Sequence, residues 1–110
     1  AGLRNQAIEV MKLLPTEVAP IMRSLLDDQD ADVRIFAVNI LESLRHPQVE
    51  DWLIDVISAD ENINVCATAL DLLGEVGSKA SFEALTGLKL RFAEEPYIQF
   101  AVDLALKRLA

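Results

Sequence analysis

His46 and Cys66 are the only imidazole and the only thiol in the chain, and these are the residue types from which a nucleophile and its base are assembled. His46 stands before Pro47 in a turn-like stretch. Cys66 sits beside Ala67 on what reads as the inward face of a helix, and no third group is placed to orient a pair. A turn histidine and a small buried filler are the expected roles. The run Asp27, Asp28, Asp30 and Asp32 has enough oxygens to suggest calcium, but a calcium loop also needs a glycine at its bend and a distant bidentate glutamate, and neither is present. Carboxylates beside the free amides and positive dipole end of a helix need no metal to explain them. The helically spaced pairs Asp51/Asp55 and Asp71/Glu75 belong to solvated faces, with no neighbour to shift either toward acid–base work. The expectation is no catalytic residue, no cofactor and no metal.

The elements that carry these residues repeat. Ala7, Ala37, Ala67 and Ala101 stand 30, 30 and 34 residues apart, and Val10, Ile40, Leu70 and Leu104 each follow three residues later. A small residue and then a large one on a single helical face suits close packing between helices. Val18, Val49 and Ala80 keep a spacing of 31, as do Leu25 and Val56. Ile21 corresponds to Trp52 and then to Glu83, so the third copy has slipped, and Leu85 and Leu88 place its apolar face a position or two away. Seven helices are expected, over 2–14, 16–27, 31–45, 47–58, 62–75, 78–93 and 96–109, joined as antiparallel neighbours by short turns. Thr16, Asp30 or Asp32, and Ser78 are placed as N-caps, Gly74 and Gly77 at a helix end, and Pro47 and Pro96 in first turns. Pro20 sits awkwardly inside the second helix, and the extra residues from Leu90 to Glu95 mark where an irregularity of the stack is expected.

The stretch from Leu25 to Leu41, with its Asp-rich turn, then Val33-Arg34, then a helix carrying small inward residues, resembles the bacterial HEAT-like repeats named after the phycobilin lyases. The resemblance implies an all-α, right-handed α–α superhelix of about three and a half repeats over a single domain, 1–110, which would fit a piece of a longer solenoid. It also implies that Arg34 pins a turn of the stack by reaching an acidic turn residue of the same or the neighbouring repeat, with Asp28, Asp30 and Asp32 as the local candidates and a binding role as the alternative, and that Arg4 is its counterpart in the first copy. At the next junction Asn64 takes the arginine's place, and before Ala101 Ile98 does. Such repeats occur in pigment lyases, scaffolds, iron-dependent hydroxylases and DNA-alkylation glycosylases, so function has to be sought in a site.

Composition narrows that choice. Ten Lys and Arg against eighteen Asp and Glu give a net charge of −8, and Lys89, Arg91, Lys107 and Arg108 fall at helix ends, which disfavours a nucleic-acid or anionic-lipid partner. No apolar run approaches the roughly 20 residues that cross a bilayer, nor is there a signal-peptide pattern. A lone cysteine fits a reducing, cytoplasmic setting. The expected function is a non-catalytic protein-binding or scaffolding module. Its polar to acidic surface would be drawn from Asn39, Glu42, Asn64, Thr68, Asp71 and Asp103 and would suit a partner rich in basic or amide groups. Trp52 is expected to pack with Leu53 and Val56, and any exposed edge of it would be an anchor; Tyr97 is the other scarce aromatic. The alternatives are part of a lyase-like enzyme whose active residues lie elsewhere, and a spacer within a larger solenoid. The oligomeric state is open.

Overall fold

The computed structural model describes residues 15–44 and 46–110, so the helix expected over 2–14, and with it Arg4 and Ala7, lies outside the described residues. Six α-helices follow in order: α1 Pro15–Leu26, α2 Ala31–Ser43, α3 Val49–Ala59, α4 Ile63–Val76, α5 Phe82–Arg91 and α6 Pro96–Leu109, with one 3-10 turn, Lys79–Ser81, leading into α5. They pair as hairpins, α1 with α2, α3 with α4 and α5 with α6. The returning helices α2, α4 and α6 lie side by side in one layer, and the leading helices α3 and α5 pack together in the other. The result is a right-handed, all-helical stack of about three HEAT-like repeats.

Local chemistry sets the boundaries. Asp30 caps α2 by accepting from the Asp32 amide, Asn62 caps α4 by accepting from the Asn64 and Val65 amides, and Ser78 caps the 3-10 turn through the Ala80 amide. Pro96 opens α6, where a missing N–H costs nothing. Thr16 lies inside α1 rather than ahead of it, and Pro47 precedes α3, whose first residue is Val49. Helix α1 runs on through Pro20; Thr16, four residues earlier, and Pro20 are both exposed. Gly77 ends α4 with an ordinary negative φ of −79°, and the position takes glycine because a Cβ there would come within 2.6 Å of the Leu73 carbonyl oxygen. Gly74 is buried where α4 crosses α6 closely.

The core corrects the repeat spacing. Helices α2, α4 and α6 begin at residues 31, 63 and 96, 32 and 33 residues apart. In that register buried Ala37, Val38, Ile40 and Leu41 coincide with buried Ala69, Leu70, Leu72 and Leu73, and Val65, Ala69 and Leu72 coincide with Ile98, Val102 and Ala105. The alanine alignment through Ala67 and Ala101 is therefore out of register: both are only half-buried, and Leu104, expected inside, is 39% exposed. Two alanines per helix misled the alignment, since a helix offers small residues on adjacent faces. The slip in the third leading helix is one position, with Ser81, Leu85 and Leu88 taking the places of Val49, Leu53 and Val56. Each fully buried Leu or Ile, such as Leu53, Ile57, Leu73, Leu85 or Ile98, contributes about 1.5–3 kcal/mol relative to exposure.

Candidate functional site

Two polar surfaces of the described residues differ in how their groups are bonded. The first is the edge where leading helices turn into returning ones. There Arg34 donates from Nε and Nη2 to the Asp60 carboxylate, at 2.7 and 3.3 Å, and from Nη1 to the carbonyls of Asp28 and Gln29, at 2.7 and 3.1 Å. Asp60 also accepts from the Asn62 amide, and its hydrogen bond to Arg34 holds the guanidinium pKa above its ordinary value. Of the aspartates of its own turn, Asp28 bonds Arg34 through its carbonyl, while the carboxylates of Asp28 and Asp30 accept from the Asp30 and Asp32 amides. Asp32 makes no contact with Arg34 in its first-turn position, where it favours the helix dipole. The ion-pair partner of Arg34 is Asp60 of the next hairpin.

In the corrected register the residues equivalent to Arg34 are Cys66 and Gln99, not Asn64 and Ile98, and both do a lesser version of its work. The Cys66 thiol donates to the Asp60 carbonyl at 3.1 Å, and Gln99 Nε2 donates to the carbonyls of Lys89 and Phe92 at 2.8 and 2.9 Å. A thiol cannot span the two or three carbonyls a guanidinium can. Arg91, at the end of α5, supplies the rest by donating to the carbonyls of Ile57, Ser58 and Asp60 at the end of α3. Its guanidinium also lies 5.1 Å from the Phe92 ring centre. Burial pushes the Cys66 thiol pKa up, the opposite of an activated nucleophile.

Between the first two turns on this edge lies an open cleft of about 480 Å³, with Leu26, Trp52, Val56 and Ala59 among its lining and Asp27, Asp55 and Glu61 beside them. Trp52 is only 2% exposed, stacks on His46 with ring centres 4.8 Å apart, and has an indole N–H with no acceptor among the described residues. It is a packing residue of the leading layer and stands apart from the other residues selected for partner binding.

The second surface is formed by the returning helices. Asn39 and Glu42 of α2 meet Thr68, Asp71 and Glu75 of α4 around a shallow groove of about 220 Å³. Asp71 and Glu75 also border a neighbouring groove of about 340 Å³ between α4 and α6, whose other wall carries Tyr97, Phe100, Leu104 and Arg108 and which Gly74, Ala101 and Ala105 keep narrow-walled. Tyr97 donates its hydroxyl to Asp71, 2.7 Å from either carboxylate oxygen, which raises the phenol pKa. Four of the six polar residues selected from the sequence thus share one groove. Asn64 lies at the start of α4, where its carbonyl accepts from Thr68 Oγ1, and Asp103 pairs with Lys89 at 2.6 Å away from both grooves. Glu75, Phe100 and Leu104 were missed. The i, i+3, i+7 run of Tyr97, Phe100 and Leu104 was the available signal, obscured by the placement of Leu104 inside.

Among the described residues no group of three or more His, Cys, Asp or Glu side chains could hold a metal ion, and no helix is long and apolar enough to cross a membrane. Residues 18–107 match the family model described as HEAT repeats. No curated protein and no solved structure matches the chain.

Proposed function

We propose, from the premise that this chain belongs to the HEAT-repeat family, that it is a non-catalytic protein-binding module whose working surface is the face of its returning helices. The observation that carries this reading is the adjoining pair of grooves between α2, α4 and α6. Glu42 and Glu75 are exposed there and make no hydrogen bond or ion pair among the described residues. Carboxylates left open along a groove favour a partner that brings basic or amide groups, and with a net charge of −8 the chain attracts such a partner from a distance. The turn edge favours a different role, because its strongest donors, Arg34 and Arg91, are already committed to linking hairpins. The reading of an enzyme with active residues elsewhere has no support from Cys66, whose thiol is buried and bonded to a backbone carbonyl.

Affinity capture with the intact chain, beside a variant carrying Glu42→Lys, Asp71→Asn and Glu75→Lys, tests the proposal. A partner with a basic segment should be retained by the first and lost by the second. Equal recovery by both would place binding on another surface.

A further inference from the structure

The two adjoining grooves differ in chemistry, and the difference specifies what kind of segment fits them. The α2–α4 groove has Glu42, Asp71 and Glu75 on its margin. The α4–α6 groove has Phe100, 64% exposed, and Leu104, 39% exposed, opposite the same Asp71 and Glu75. An aromatic ring two-thirds in water is unfavourable unless something covers it, since apolar area is worth about 25 cal/mol per Å² when removed from water. Phe100 and Leu104 border a groove whose other wall is α4, so whatever covers them also meets the α4 carboxylates.

Resting on the reading of this face as the binding surface, we infer that the grooves take an extended segment of a partner protein that places one large apolar side chain between α4 and α6 and a lysine or arginine between α2 and α4. Packed helices lie about 8–10 Å apart. A polyproline II segment returns to the same face every third residue, an advance of about 9 Å. The two anchors are therefore three residues apart, with the apolar residue against Phe100 and the cation near Glu42 and Glu75. Tyr97 holds the wall between them through its bond to Asp71. A second copy of the chain is a poorer occupant: two such faces brought together would set Glu42, Asp71 and Glu75 near their own counterparts, within molecules of net charge −8.

The test is panning of a phage-displayed library of random dodecapeptides on the intact chain, followed by fluorescence anisotropy with the synthetic consensus peptide. Enriched sequences should share a Leu, Ile, Phe or Trp and a Lys or Arg three positions away. Phe100→Ser and the pair Glu42→Gln with Glu75→Gln should each weaken the consensus peptide by about tenfold or more, and raised salt should weaken it further. All three side chains are exposed, so circular dichroism of the variants should match that of the parent. Loss on the glutamate changes without loss on Phe100→Ser would overturn the two-anchor inference while leaving the acidic face as the binding surface. Insensitivity to both would overturn both readings. Enrichment without the basic position, no enrichment over blank wells, or a dimer by light scattering that Phe100→Ser dissociates would each overturn the inference, with the capture experiment still judging the face.

Discussion

The turn edge and the returning-helix face are built from the same hairpins, yet the strongest donors of the one are committed to helix ends, while the other sets open carboxylates beside an exposed apolar wall. On the turn edge Arg34, Asp60, Cys66, Arg91 and Gln99 direct their polar atoms at helix ends and at one another. On the face Glu42 and Glu75 make no hydrogen bond or ion pair among the described residues, and Phe100 is 64% exposed. A stack of repeats has to fix each hairpin against the next, and turns are where free carbonyls and amides accumulate. That need engages Arg34, Arg91 and the capping carboxylates of the turn edge, while Asp27, Asp55 and Glu61 beside its cleft make no side-chain bond among the described residues. The comparison teaches that charge alone does not mark a site: in the densest acidic run, Asp27, Asp28, Asp30 and Asp32, the carboxylates of Asp28 and Asp30 serve backbone amides, and Asp60 of the next turn serves Arg34 and the Asn62 amide.

If the division is right, Asp60→Ala should produce the largest loss of stability. It strips a partly buried arginine of its carboxylate partner and removes the acceptor for the Asn62 amide, a cost of about 2–3 kcal/mol. Glu42→Gln should stay within about 0.5 kcal/mol. Urea denaturation of the two variants side by side decides it, and similar midpoints would erase the distinction between the surfaces.

A smaller effect is expected on the other side of the leading layer, where Glu50 of α3 accepts from the Ser78 amide, the Ser78 hydroxyl and the Ser81 hydroxyl, at 2.6–3.0 Å. Ser81 occupies a core position that is Val18 and Val49 in the other copies, and its bond to Glu50 is what allows a hydroxyl there. Burial pushes the Glu50 pKa up, but the three donors outweigh it and hold the carboxyl below its usual range. A depressed carboxylate contributes stability that is present above the unfolded value of about 4.3 and is lost as pH falls through the lower folded value. Glu50→Gln should therefore cost about 1–2 kcal/mol at neutral pH and should flatten the loss of stability below about pH 4.3. An unchanged acid limb in thermal melts would show that the clamp does not hold in solution.

How far the sequence disclosed this division depends on which physical signal carried each feature. Some helix boundaries were legible because caps and prolines act locally: Asp30 and Pro96 open α2 and α6 as expected, whereas Ser78 caps the 3-10 turn ahead of α5, Thr16 lies inside α1 and Pro47 ahead of α3. The repeat register was not, because Ala37 can be matched to Ala67 or to Ala69 on composition, and only burial separates them. That error, two residues in α4 and one in α6, had consequences. It hid Cys66 and Gln99 as the counterparts of Arg34, and it turned Leu104, a groove wall, into a core residue. Arg91 crossing to α3 was out of reach for a different reason, since nothing local announces a contact between residues more than thirty apart. Glu42, Thr68 and Asp71 were legible as one surface because helical spacing alone assigns them to solvated faces.

Gln99→Met sharpens the equivalence drawn on the turn edge. Gln99 donates to two carbonyls at the end of α5 from the position of Arg34, so its loss should cost about 1 kcal/mol. That is less than the loss of Asp60, because the amide is neutral and the ion pair is charged. Equal costs would mean that the ion pair adds nothing over a neutral cap, and no measurable cost would remove Gln99 from the lacing of this edge.

The smallest effect is spectroscopic and probes whether the wall of the open face is ordered. Tyr97 is the only tyrosine in the chain, so the appearance of phenolate absorbance on raising pH reports a single group. Its hydrogen bond to Asp71, with some burial and the adjacent negative charge, favours the neutral phenol and places its ionisation above the ordinary value of about 10. A raised phenol pKa means that this contact stabilises the fold fully below that ordinary value and is lost as pH rises through the folded one. Asp71→Asn removes the charge and should bring the titration back toward the free phenol, with circular dichroism followed in parallel so that unfolding at high pH is not mistaken for ionisation. A parent titration at the ordinary value would mean that Tyr97 moves freely over Asp71. The α4–α6 groove would then lose the bond that braces its two walls, and the contrast would lie between an edge fixed by hydrogen bonds and a face that takes shape only when a partner covers it.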